Sequence, residues 1–81
     1  MNLCFLLGKL VIDIEFKFIY NSKNTSIVFL DLILKNKSIV RCRAYNEIAD
    51  YIYRSINKND LIFVEGIVGS KYIKICKILK C

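Results

Sequence analysis

The residues best equipped for chemistry stand together in one run, Ile39-Val40-Arg41-Cys42-Arg43-Ala44-Tyr45. Side chains of a strand alternate between two faces, which puts Val40, Cys42 and Ala44 on one side and Ile39, Arg41, Arg43 and Tyr45 on the other. The first set is small and apolar, fit for an interior. The second joins two guanidinium groups to an aromatic ring. Guanidinium pairs with phosphate and stacks on planar groups, and a tyrosine ring is a platform on which a base can lie. Such a face suits a polymer of phosphates and bases, at roughly 1–3 kcal/mol for each stacked base. It equally suits plain solvation, with the arginines paired to Asp31 or Glu65 on neighbouring strands.

Two further segments extend the pattern. In Ile27–Leu34, Val28, Leu30, Leu32 and Leu34 share one face, while Phe29 and Ile33 flank Asp31 on the other. Large apolar groups on an outward face need a ligand or another subunit to cover them. In Lys71–Leu79, Ile73 and Ile75 point inward and Tyr72 and Lys74 outward. Lys71, Lys74, Lys77 and Lys80 form a basic run, which fits either phosphate neutralisation or a charged edge that resists strand-to-strand aggregation.

Other chemistry is poorly supplied. The chain has no His, which removes the commonest general base and the commonest metal ligand. Cys4, Cys42, Cys76 and Cys81 contain no CxxC pair and fit no zinc spacing. Cys4 and Cys42 fall inside apolar strand patterns, where cysteine behaves as a small hydrophobe, so reduced, structural thiols in a cytoplasmic protein are expected. Asp13 and Glu15 would share a strand face, an arrangement common on surfaces. There is neither a nucleophile–base pair nor a Gly-rich phosphate loop. The expectation is a protein that is not an enzyme and uses no metal or cofactor. A formal net charge of +6 attracts polyanions: nucleic acid, anionic lipid or an acidic protein. The apolar start, Met1–Leu7, lacks the basic flank and small-residue cleavage site of a secretory leader. No apolar run approaches the roughly 20 residues of a membrane helix, so a soluble chain with no membrane partner is expected.

A length of 81 residues allows one domain, spanning 1–81, with a modest core. Its composition is 56% hydrophobic and contains no Pro; with many β-branched residues, this favours strands. Turn-like clusters at Asn21–Ser26, Lys35–Ser38, Asn57–Asp60 and Gly69–Ser70 cut the chain into strand-length pieces. These are Leu3–Phe18, with a bend expected at Gly8, then Ile27–Leu34, Ile39–Tyr45, Leu61–Val68 and Lys71–Leu79. The exception is Asn46–Ile56, where Ile48, Ala49, Ile52 and Ile56 recur at helical spacing. Asn46 is a suitable N-cap and Glu47 suits the first turn. Asn59 follows, a residue that tolerates the left-handed conformation. The expected fold is all-β: a five-stranded OB-fold barrel with one α-helix between strands 3 and 4.

Three segments then resemble one family. Gly8-Lys9-Leu10-Val11-Ile12-Asp13-Ile14-Glu15-Phe16-Lys17-Phe18 is similar to the first-strand signature of bacterial single-stranded DNA-binding proteins. Ala44-Tyr45-Asn46-Glu47-Ile48-Ala49-Asp50 resembles the family segment where an aromatic residue ends the third strand and a helix opens. Asp60-Leu61-Ile62-Phe63-Val64-Glu65-Gly66 resembles its fourth strand. The resemblance implies an OB-fold, self-association as a homodimer or homotetramer, and sequence-tolerant binding of single-stranded DNA. It places a base-stacking aromatic at Tyr45 and a basic residue at Arg41, with Lys9 at the signature's basic position. The chain also departs from the family. Ile39 stands where a stacking Trp is frequent, Asn46-Glu47 replaces Gly-Lys, and Ile14 replaces Pro. The connections between strands 2 and 3 and between strands 4 and 5 are short, and no recruitment of partner proteins through an acidic tail is expected.

The expected function is sequence-tolerant single-strand binding in support of replication, recombination or repair, with RNA not distinguished from DNA. Arg41, Arg43, Lys71 and Lys74 would neutralise phosphates, Tyr45 and Tyr72 would stack bases, and Phe29 and Ile39 would support an apolar floor. The alternative is a structural or protein-interaction OB module in which the outward Phe29, Ile33 and Ile39 are buried against another subunit.

Overall fold

The structure, a computed structural model, describes residues 2–11, 15–19 as backbone, and 25–81. Strands β1 (Leu3–Leu10), β2 (Glu15–Ile19), β3 (Thr25–Leu34) and β4 (Ile39–Tyr45) come first. Helix α1 (Asn46–Ser55), β5 (Leu61–Val68) and β6 (Ile73–Lys80) follow. The first expected strand is thus two segments, β1 and β2. Both lie against β3: Gly8–Leu10 pairs with Leu34–Leu32, and Glu15–Ile19 pairs with Phe29–Thr25. They act as one strand of the barrel. The Asp13–Glu15 carboxylate pair, Ile14 and most of the Asn21–Ser26 cluster lie outside the described side chains.

Alternation builds the wall. In β3, Val28, Leu30 and Leu32 are buried while Ile27, Phe29, Asp31 and Ile33 are half-buried on the other face. β4 runs antiparallel to it from Ile27↔Tyr45 to Ile33↔Ile39. The connecting turn is tight because Lys37 takes φ 73° and Leu34 and Ser38 bond across it, N to O at 2.9 Å. β5 pairs antiparallel with β1 on one side and β6 on the other, with a bulge between Glu65 and Gly66. The barrel closes where β6 meets β4 in parallel, Cys42 opposite Ile73 and Arg43 opposite Lys74. This is the five-stranded closed barrel, with the helix between its third and fourth strands, that the sequence predicts.

Inside lie Leu10, Val28, Leu30, Leu32, Cys42, Ala44, Ile62, Val64 and Ile75, and α1 adds Ala49 and Ile52, with Ile56 just beyond its end. Gly8 pairs with both Leu34 and Ile62, so it sits where β1 is squeezed between two neighbours. A Cβ there would stand 3.1 Å from the Ile33 carbonyl oxygen and from Leu32 Cβ. The expected bend at Gly8 is therefore a close approach of backbones.

The helix differs from expectation at its start. Tyr45 holds the cap position in extended conformation and no side chain caps the helix. Asn46 takes φ 54°, and its Oδ1 accepts from the Ser26 N–H at 3.4 Å. Its amide ties the helix to β3 and is not available to the helix's own N–H groups. Ser26 Oγ completes the tie, donating to Asp50 Oδ1 at 3.1 Å. Asn59 takes φ 76° in the turn before β5, as expected of that residue type.

Candidate nucleic-acid interface

The outer face of β3 and β4 is a ladder of cross-strand pairs: Ile33 with Ile39, Asp31 with Arg41, Phe29 with Arg43, Ile27 with Tyr45. Such neighbours touch because facing Cβ atoms stand about 5 Å apart. The barrel seam adds β6 beside the lower rungs, with Lys74 level with Arg43. Tyr72 precedes β6 in the short loop that Gly69 closes by donating its N–H to the Tyr72 carbonyl at 3.0 Å.

This arrangement gathers five of the nine expected site residues. The Arg43 guanidinium carbon lies 4.0 Å from the Tyr72 ring centroid and 4.9 Å from that of Phe29. Lys74 Nζ stands 5.6 Å from the Tyr45 ring. The two phenol oxygens are 3.5 Å apart. Arg43 Nε is buried and has no hydrogen-bond partner. Phe29, Arg43, Tyr45, Tyr72 and Lys74 therefore form one aromatic–cationic cluster. Cations over ring faces gain roughly 0.5–2 kcal/mol each, more when desolvated.

The phenols are unequal. Tyr72 is pulled below the ordinary tyrosine range, first by the hydrogen bond with Tyr45 and then by the charge and hydrogen bonding of Arg43. Tyr45 is pushed up, first by that same hydrogen bond to Tyr72 and then by burial. Either phenol can donate in the pair.

The other four expected residues stand apart. Arg41 leans to Asp31, Nε to Oδ1 3.5 Å, with its side chain still 73% exposed. Ile39 is 63% exposed at the opposite end of β4, level with Ile33, which in turn pairs with Lys9 of β1. Lys71 is exposed in the loop before Tyr72. The expected floor is thus divided, with Phe29 inside the cluster and Ile39 a strand's length away.

A second surface escaped the sequence reading. Leu3, Phe5 and Leu7 of β1, Leu61 and Phe63 of β5 and Leu79 of β6 are all exposed. Registers place Leu7 beside Phe63 and Phe63 beside Leu79, and the Phe5 and Phe63 rings stack at 6.2 Å. A groove of about 490 Å³ continues this face toward Ile48 and Tyr51 of α1, with Glu47, Glu65 and Lys77 among its lining residues. The signal was present in Leu3–Leu7, which is apolar on both faces. One face of a barrel strand must point outward.

No family model matches the chain, and no curated protein matches it in sequence. Solved structures do. The single-stranded DNA-binding domain of a Synechococcus protein superposes with a TM-score of 0.79 at 16% identity, covering 96% of this chain and 93% of that one. The mitochondrial single-stranded DNA-binding protein of S. cerevisiae gives 0.81 at 13%, covering 99% and 93%. That of Thermus aquaticus gives 0.83 at 20%, and this chain spans 40% of its length. The chain has the OB-fold of single-stranded DNA-binding proteins. Within this OB-fold, Asn46 occupies a left-handed position, which glycine takes freely and Asn tolerates better than most residues. Glu47 turns to the groove with Phe63 and Lys77.

Proposed function

We propose that the chain binds single-stranded DNA without sequence preference, through the face that β3, β4 and β6 share. The observation that carries this reading is the cluster of three aromatic rings interleaved with Arg43 and Lys74 on one side of the barrel. Rings give bases a π-surface, Lys74 gives phosphates a counter-charge, and neither reads sequence. Arg41 and Lys71, both exposed, extend the positive surface. Replication, recombination or repair in the cytoplasm would use such a module, and an oligouridylate titrated beside the DNA reads whether RNA binds as well. The apolar face of Leu3, Phe5, Leu7, Leu61, Phe63 and Leu79 supports self-association as a homodimer or homotetramer that leaves the basic face open. Packing two basic faces together would instead oppose like charges.

The test is a labelled oligothymidylate titrated at low and moderate salt. Affinity should fall steeply with salt as bound counterions are released. Tyr45→Ala combined with Arg41→Ala should lower affinity by at least tenfold, given roughly 1–3 kcal/mol per lost stack. No detectable binding at low salt, or indifference to both substitutions, would favour a protein-interaction module.

A further inference from the structure

Arg43 is chemically odd for a phosphate-binding arginine. Its guanidinium lies between two rings, 4.0 Å from the centroid of Tyr72 and 4.9 Å from that of Phe29. Its Nε is sealed from solvent without an acceptor. A group meant to meet phosphate keeps its donor edge open and hydrated, as Arg41 does at 73% exposure. A guanidinium packed against two rings, with its Nε sealed and its hydrogen bonding directed to the phenols, is held by those rings, because its flat, weakly hydrated plane stacks where an ammonium would not. Each ring it touches comes from a different element: Phe29 from β3, and Tyr72 from the loop before β6. Tyr72 in turn meets Tyr45 through the phenol pair. Arg43 therefore links, directly or through one ring, all three aromatic groups of the face.

We propose that Arg43 is a positioning residue, a planar spacer that presets Phe29 and Tyr72 for stacking and does not itself neutralise a phosphate. The proposal rests on the single-strand reading and assigns the charge-pairing role to Arg41, Lys71 and Lys74. Preset rings spend no binding energy on being ordered when a strand arrives.

Salt dependence separates the two roles. With a labelled oligothymidylate of roughly 12 nucleotides, inside the range single OB-folds cover, each phosphate contact adds about 0.7 to the slope of log affinity against log salt. Lys74→Gln should reduce that slope by about this amount. Arg43→Gln should weaken binding about tenfold, a fraction of one to two lost stacks, with the slope unchanged. Arg43→Lys, which keeps the charge and loses the plane, should weaken binding to the same degree. A slope that falls in Arg43→Gln as it does in Lys74→Gln, or affinity restored by Arg43→Lys, overturns the proposal. A second readout is independent of DNA: the Tyr72 phenol, followed by alkaline NMR titration, should move upward in Arg43→Gln. If wild-type protein binds no oligonucleotide, the single-strand reading is lost, and this titration decides whether Arg43 holds Tyr72. An unmoved Tyr72 then overturns the spacer role as well.

Discussion

Asp31 and Arg41 face each other across β3 and β4, Oδ1 and Nε 3.5 Å apart, while the arginine side chain stays 73% exposed. So exposed a pair contributes about 0–1 kcal/mol. Asp31→Asn should change the melting midpoint by little. It should raise affinity for an oligonucleotide, because a carboxylate that competes with phosphate for Arg41 is gone. Fluorescence anisotropy beside a thermal melt reads both effects, and a weaker binder would show that Asp31 orients Arg41 for its ligand.

The two phenols should titrate separately. Tyr72 should ionise below the ordinary tyrosine value and Tyr45 above it. A depressed acid favours folding only once it ionises, between its folded and unfolded pKa and above. A raised one opposes folding as pH climbs past the unfolded value. The two shifts therefore act on stability in opposite senses as the phenols ionise. Tyr45→Phe removes the hydrogen-bond partner, so Tyr72 should return toward the ordinary range in a spectrophotometric titration.

The Cys42 thiol is pushed up to about 12, first by burial and then by nearby Cys4 and Asp31. The folded state keeps this proton where the unfolded chain, near 9, releases it. Its contribution is complete below the unfolded value and is lost as pH rises toward the folded one. Stability should decline across that alkaline window. A thiol reagent at mild pH should modify exposed Cys81 quickly and leave Cys42 untouched until the chain unfolds.

Gly66 marks the bulge of β5. A Cβ there would stand 2.5 Å from Ile73 Cγ2 and 2.7 Å from the Lys74 carbonyl oxygen. The second contact is backbone and cannot swing away. Gly66→Ala should cost about 1–3 kcal/mol, the usual scale of forced overpacking, and denaturant unfolding will measure it. Because Ile73 and Lys74 are what it pushes, oligonucleotide affinity should fall with stability.

Phe5→Glu and Phe63→Glu test the apolar face. Their rings stack on each other and remain exposed in the single chain, so a charge costs little there unless another copy covers it. Each should lower the mass seen by light scattering while per-chain oligonucleotide binding persists. A mass already equal to one chain in the wild type would remove the assembly reading.

Strand order was legible because alternation is local: Val40, Cys42 and Ala44 against Arg41, Arg43 and Tyr45 reads the same in sequence and structure. The helix was legible from Ile48, Ala49, Ile52 and Ile56. Residue type at Tyr45 and Tyr72 marked both rings. Their contact was not visible, because it spans 27 positions and depends on the parallel seam. Arg43 and Arg41 looked alike in sequence, since both alternate outward. Only the neighbours separate them: an aspartate opposite one, two rings around the other. Asn46 misled for a related reason. A good capping side chain found a closer partner in Ser26, a strand away.

The seam of β4 and β6 has a consequence for the order in which the protein becomes competent. On a ribosome, residues 39–45 emerge well before residues 72–74. A nascent chain holding β4 alone has Tyr45 and Arg43 but neither Tyr72 nor Lys74. The stacking surface therefore comes into being only with the last strand, by a long-range closure of the kind that slows folding. Half-made copies lack the finished aromatic–cationic cluster.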